Sequence, residues 1–160
     1  MANILITGAN RGLGLGFVKR YLEKKVNVTC TTRRIPESKE LLACKAQYPN
    51  NLEILELDLL KEDAASSLAK LLKDKPIDIL INNAGVGSSN QHFEAVSSKP
   101  WLEVLKVNLI APLLITQSIM DNVKKSSTKK IYFLSSQLGS IGENTSGGMY
   151  IYRSSKTGLN

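Results

Sequence analysis

One histidine, two cysteines and one tryptophan are the whole supply of the residue types that most often announce metal, disulfide or stacking chemistry. Cys30 and Cys44 alone cannot build the disulfide framework of a small secreted domain, so a reducing compartment is expected. His92 stands by itself in a polar loop, so no metal is expected. It would also be the only base for a Ser/His/Asp hydrolase, and no G-x-S-x-G elbow exists. Trp101 opens a helical segment and reads as a packing anchor. Long apolar runs are missing too. The longest, "VNLIAPLLITQ", is broken by Asn108, Pro112 and Gln117 and is too short to span a bilayer. The start, "MANILITGAN", has neither the basic segment nor the apolar length of a signal peptide. These absences predict a cytoplasmic protein without a membrane partner. The formal net charge of +7 does not make it a nucleic-acid binder, because the basic residues do not alternate with aromatics along one face. The run Lys124 to Lys130 reads as a solvated helix end and turn, its lysines near the negative pole of the helix dipole.

What is present is an alternation. At 160 residues the chain is one domain's worth, long enough to bury roughly 70% of its extended surface. No linker, repeat or low-complexity stretch divides it. Short apolar or β-branched runs predict strands at 3–7, 26–32, 52–58, 77–82 and 130–136. Between them lie segments with apolar residues at helical spacing: 12–25, 36–48 (opened by Pro36), 61–74 and a long helix over roughly 99–123. A loop is expected over 83–98, and a final helix begins near the end of the chain. Such a β-α-β order implies a Rossmann-type doubly wound parallel sheet, here with five strands, because parallel strands need right-handed crossovers. Ligands of such sheets sit at the carboxyl ends of the strands.

The motifs fall at those ends. "TGANRGLG" (7–14) follows the first strand and opens the first helix. Gly8 permits a tight turn, Gly12 lets a pyrophosphate approach the backbone, and Gly14 lets helix and strand pack closely. The spacing G-x-x-x-G-x-G differs from the common dinucleotide fingerprint, but its place between strand and helix favours nucleotide binding over a plain turn. The second strand ends Thr31-Thr32-Arg33-Arg34, where a reader of NAD would carry an acid. Arg33, with Arg11 in the glycine loop, would instead clamp a 2′-phosphate, so NADP(H) is favoured over NAD(H). Asp58 either bonds the adenine amino group or caps the next helix. "NNAG" (82–85) makes a turn that could lie under the nucleotide.

The last helix carries Tyr152 and Lys156 at the i, i+4 spacing that puts them on one face, whereas the residue four beyond Tyr150 is Ser154. Tyr150 therefore reads as a loop or pocket-wall residue. A carbonyl reductase needs a proton donor, and a lysine ammonium beside a tyrosine favours the phenolate. At ~4 Å and an effective dielectric of ~20 the attraction is about 4 kcal/mol before desolvation is charged against it. Ser136 ends the fifth strand, where it either polarises a carbonyl oxygen or, like Ser135, fills a turn. Pro112 has no N–H for the carbonyl of Asn108, which would leave that carbonyl free for a water reaching Lys156.

Together, Thr7-Gly8-x-x-x-Gly12-x-Gly14, Asp58, Asn82-Asn83-Ala84-Gly85, Asn108, Ser136 and Tyr152-x-x-x-Lys156 resemble the short-chain dehydrogenase/reductase family, in order over essentially the whole chain. The stretch from Ser136 through Gly147-Gly148-Met149-Tyr150 looks more narrowly like the C-factor and sniffer-type carbonyl reductases. The resemblance implies an Asn108-Ser136-Tyr152-Lys156 tetrad: Tyr152 as general acid/base, Ser136 on the substrate oxygen, Lys156 on the tyrosine and the ribose, Asn108 on a relay water. It also implies cofactor contacts from Gly8, Asn10, Arg11, Gly12, Leu13 and Gly14 in the first loop, Arg33, Asp58 and Leu59 at the next two strand ends, Asn83, Ala84 and Gly85 after the fourth, and Tyr152 and Lys156. The expected activity is reduction of a ketone, aldehyde or quinone by NADPH, in a homodimer or homotetramer when full length. Family members run to roughly 250 residues with two more strands, so the single domain 1–160 is expected to be incomplete at its C-terminus. Two alternatives stand beside this reading: an NADP(H)-binding signalling or regulatory protein without turnover, and an inactive piece of a reductase.

Overall fold

Asn3–Ile6 forms strand β1, and its side chains divide between two cores: Leu5 enters one, Ile4 and Ile6 the other. A strand apolar on both faces belongs in a parallel sheet covered by helices on each side. The structure is a computed structural model and describes residues 1–89 and 92–160. After β1 come α1 (Gly12–Glu23), β2 (Asn27–Thr32), α2 (Lys39–Gln47), β3 (Leu52–Glu56), α3 (Ala64–Leu72) and β4 (Ile79–Asn82). Then follow α4 (Ser98–Leu105), α5 (Ala111–Ser118), α6 (Met120–Lys124), β5 (Lys130–Phe133) and α7 (Tyr150–Leu159).

All strand pairings are parallel, in the order β3-β2-β1-β4-β5. The chain therefore winds outward in opposite directions from β1, and a crevice opens between β1 and β4 at their carboxyl ends. α1 and α2 cover one face with Leu15, Val18, Leu22 and Leu41, while α3 and α5 cover the other with Leu68 and Ile115. Each fully buried leucine or isoleucine contributes about 1.5–3 kcal/mol relative to exposure. At the opposite end of the sheet the Asp78 carboxylate accepts from the Asn3 N–H and the Ser126 hydroxyl, fastening β1 to the turn before β5. Those bonds, the serine's first, hold its carboxyl below the usual range.

The expected five-strand doubly wound sheet is present, with strands shorter by one to three residues at their ends. Two helices differ more. The single long helix expected over 99–123 is three helices with a π-helical turn at Lys106–Ile110 between α4 and α5. The Ala111 N–H reaches back to the Lys106 carbonyl, a wider ring just before Pro112, whose ring nitrogen can donate nothing. α2 begins at Lys39 rather than Pro36, because the Ser38 hydroxyl is turned onto Thr32 and the Arg34 carbonyl and the chain from Ile35 to Ser38 is a tight turn. The expected loop over 83–98 holds a short 3₁₀ turn at Phe93–Ala95, and its residues 90 and 91 lie outside those described. β5 forms one edge of the sheet, with Tyr132 and Phe133 exposed on it.

Candidate active site

Several chain segments meet over the β1–β4 crevice and line a cavity of about 950 Å³. The first is the loop after β1. Gly8 has φ of 64°, and a Cβ there would stand 2.7 Å from Ala84 Cα, so a side chain is excluded both by conformation and by space. Gly14 is the close contact between helix and loop: a Cβ would meet Asn83 Nδ2 at 2.4 Å and the Gly8 carbonyl at 2.6 Å. The Asn83 amide donates to the Thr7 and Gly8 carbonyls (2.9 and 2.8 Å), while the Thr7 hydroxyl accepts from the N–H groups of Asn83 and Ala84. The turn after β4 and the glycine loop are thus one hydrogen-bonded body. No side chain caps the N-terminus of α1 and no acid lies in its first turn, which leaves its first N–H groups and the positive end of its dipole facing the cavity.

Asn10, Arg11, Gly12 and Leu13 line this end of the cavity, with Arg33 from the end of β2. Arg34, in contrast, turns away to pair with Glu37 at 2.5 Å. Neither Arg11 nor Arg33 has a carboxylate partner among the described residues. Asp58 and Leu59 line the adjoining wall. The reading of Asp58 as cap of the next helix does not hold: α3 starts at Ala64, and the Asp58 carboxylate instead accepts from the Leu60 N–H at 3.0 Å, closing a turn at the strand end. Ala84 and Gly85 form the floor below.

At the far end stand Tyr152 and Lys156, one helical turn apart on α7, with the Lys156 ammonium 5.9 Å from the centre of the Tyr152 ring. Lys156 is 4% exposed and donates to the Leu134 carbonyl at 2.6 Å. Burial holds its pKa below the usual amine value, and no carboxylate among the described residues offsets it. Asn108, fully buried in the π turn, lies behind this face rather than in the cavity lining. Its amide is completely used: Oδ1 accepts from Val86 N–H at 2.8 Å, and Nδ2 donates to the Val86 carbonyl and to Ser155 Oγ at 2.9 and 3.0 Å. Ser136 is not a strand-end residue, since β5 ends at Phe133, and Leu134 and Ser135 rather than Ser136 reach the cavity. The Ser136 hydroxyl accepts from Leu138 N–H and caps the 3₁₀ turn Gln137–Gly139. Gly139 lets that turn lie against the Lys156 backbone, where a Cβ would come within 2.9 Å.

The crevice thus carries a glycine loop on a helix N-terminus at one end and a Tyr/Lys pair at the other. A family model described as short chain dehydrogenase matches residues 2–160. The chain belongs to the short-chain dehydrogenase family. Among solved structures it is similar to the carbonyl reductase Sniffer of D. melanogaster, with a TM-score of 0.90 and 36% identity over 99% of this chain and 71% of that one. A carbonyl reductase from Pseudomonas aeruginosa PAO1 in complex with NADP superposes with a TM-score of 0.87 and 31% identity, covering 100% of this chain and 72% of that one. The benzil reductase ((S)-benzoin forming) of Bacillus cereus is 30% identical over 167 residues, all of this chain and 65% of that protein. The chain spans 62 and 65% of the length of two such curated relatives, an uncharacterized oxidoreductase of Schizosaccharomyces pombe and the benzil reductase.

In this short-chain dehydrogenase several site residues carried no sequence signal. Val86 is the partner of Asn108, Leu134 supplies the carbonyl that Lys156 binds, and Ser155 lies between Asn108 and α7. Thr31 on β2 accepts from the Gly8 N–H at 3.2 Å and fixes the glycine loop from the other side. Trp101, expected as an anchor, ties α4 to α7 through its indole N–H on Ser154 at 2.8 Å. No group of three His, Cys, Asp or Glu side chains is placed to hold a metal among the described residues, and no helix there is long and apolar enough to cross a membrane.

Proposed function

We propose that the protein is an NADPH-dependent oxidoreductase that reduces a ketone, aldehyde or quinone to the alcohol. The observation that carries this reading is a cavity with cations of two kinds at its ends: the guanidinium groups of Arg11 and Arg33, without a carboxylate partner among the described residues, at one, and Lys156 beside Tyr152 at the other. The residues fit a dinucleotide. The uncapped N-terminus of α1 suits a pyrophosphate, and the side-chain-free approach at Gly12, with nothing within 4 Å of a built Cβ, leaves room for it. Arg33 and Arg11 suit a 2′-phosphate and so favour NADP(H) over NAD(H). Asp58 and Leu59 would flank the adenine, and Ala84 and Gly85 the sugars. Bound NADPH supplies the hydride. Tyr152 donates the proton to the carbonyl oxygen as the alcohol forms, Ser135, which unlike Ser136 lines the cavity, steadies that oxygen, and Lys156 favours the phenolate left behind and holds the ribose. The similarity to carbonyl reductases, one solved with NADP, supports the same assignment. NADPH consumption with a panel of ketones, aldehydes and quinones tests it: turnover that vanishes in Tyr152→Phe is expected, and no turnover with any of them would sink it.

A further inference from the structure

We infer that Ser155 is a positioning residue, whose buried hydroxyl sets the height of Tyr152 and Lys156 over the cavity by joining Asn108 to the catalytic helix. The inference rests on the reductase reading above for the names of the groups, and on geometry for the link. Ser155 is 0% exposed, as is Asn108. Its hydroxyl has a single proton, donated to the Tyr152 carbonyl at 2.7 Å, so its oxygen must accept from Asn108 Nδ2 at 3.0 Å. The Asn108 amide cannot be turned over, because that would face its N–H groups to the Val86 N–H and leave the Val86 carbonyl without a donor. Only one arrangement therefore satisfies every group. It runs without a gap from the loop after β4, through Val86, Asn108 and Ser155, to the backbone of Tyr152.

The packing around this link is equally tight. One turn beyond Ser155, a Cβ on Gly158 would come within 2.9 Å of Leu109, so α7 rests directly on the π turn. A second tie to α7, Trp101 to Ser154, lies on the half-buried flank, and the Ser154 hydroxyl donates to the Ile151 carbonyl rather than to that of Tyr152. It serves as the control.

The test uses the full-length protein with a carbonyl compound that it turns over. Ser155→Ala should lower kcat by ~10- to 100-fold, as expected for a misplacement of about an ångström, while KM for NADPH stays within about twofold. The isotope effect from NADPH deuterated at the transferred position should rise, because the hydride step becomes slower. Ser155→Thr, which keeps the hydroxyl, should recover most of the rate, and Ser154→Ala should stay within about twofold of wild type. Unchanged kcat and isotope effect in Ser155→Ala, a loss confined to KM or to thermal stability, or a threonine variant as slow as the alanine one would each overturn the inference. Should Ser155→Ala not fold, Ser155→Cys keeps the volume with a weaker donor and is read in the same way. If the wild-type protein shows no turnover, the reductase reading fails, and the link is judged by NMR with carbon-labelled tyrosine. A Tyr152 ring signal that moves in the alanine variant and returns with threonine supports it, and a signal that stays put refutes it.

Discussion

Gly14 and Gly16 lie two residues apart on α1, and replacing each by alanine should change stability in opposite directions. At Gly16 a Cβ meets nothing within 4 Å, so the substitution acts on helix propensity and should stabilise by about 0.5–1 kcal/mol. At Gly14 the new methyl would stand 2.6 Å from the Gly8 carbonyl and 2.9 Å from Ala9 Cα, both backbone atoms that no rotamer change can move. Overpacking of that kind costs about 1–3 kcal/mol. The third clash, 2.4 Å from Asn83 Nδ2, would displace the amide that donates to Thr7 and Gly8, and each of those bonds contributes about 0.5–1.5 kcal/mol. After the helix-propensity gain is set against these losses, Gly14→Ala should destabilise by about 3 kcal/mol. Urea unfolding followed by far-ultraviolet circular dichroism reads the pair. With an ordinary denaturant slope, the Gly14→Ala midpoint falls by roughly 1–2 M and that of Gly16→Ala rises by a few tenths. Equal midpoints, or a more stable Gly14→Ala, would show that the glycine loop and the turn after β4 are not packed as described.

Arg33→Glu should weaken NADPH binding by about 10- to 100-fold, the worth of a charge-assisted bond to phosphate, and leave NADH affinity unchanged or better; fluorescence titration with both nucleotides checks it, and equal losses for the two would discount the phosphate clamp. Lys156 predicts a pH dependence. Its folded pKa is depressed by burial, so between that lowered value and the unfolded value of about 10.4 the unfolded chain holds more protons and stability rises with pH. Lys156→Met should lose that rise and gain stability at neutral pH, which thermal unfolding across the alkaline range would reveal; an unaltered pH slope would contradict the buried-ammonium account. Asn83→Ala should destabilise by about 1–3 kcal/mol by leaving the Thr7 and Gly8 carbonyls without its amide, measured by the same urea titration, and an effect smaller than that of an exposed Asn10→Ala change would speak against the link.

The strand and helix alternation was open to reading because its period comes from which side each residue must face. β1 reads as wholly apolar because Ile4, Leu5 and Ile6 are all buried, on two faces. The glycine loop and the Tyr152/Lys156 pair were legible for the same reason: local spacing alone puts them at a strand end and on one helix face. Other features depend on what the chain meets after folding. Pro112 announces a lost N–H, but whether the helix breaks, kinks or widens into the π turn at Lys106–Ile110 is decided by how Asn108 and Thr116 are held from outside, the latter accepting from the Asn82 amide and donating to the Pro112 carbonyl. Ser136 looked like the last strand residue because an apolar run reaches Leu134 just before it, yet the strand stops three residues short of it and its hydroxyl caps a turn. Asn83 was read as a turn residue, and its amide proves to bind a loop 75 residues away in the chain. Partners of that kind are set by tertiary approach, which no local pattern encodes.

In the proposed reaction Tyr152 gives the proton and NADPH the hydride, in one cavity. Turnover of a carbonyl substrate with NADPH deuterated at the transferred position, in wild type and in Tyr152→Phe, checks both halves at once. Deuterium should appear on the new carbinol carbon, and the phenylalanine variant should lose about 10²–10⁴-fold in kcat while binding NADPH within about twofold of wild type. Product without deuterium, or a phenylalanine variant as fast as wild type, would contradict it.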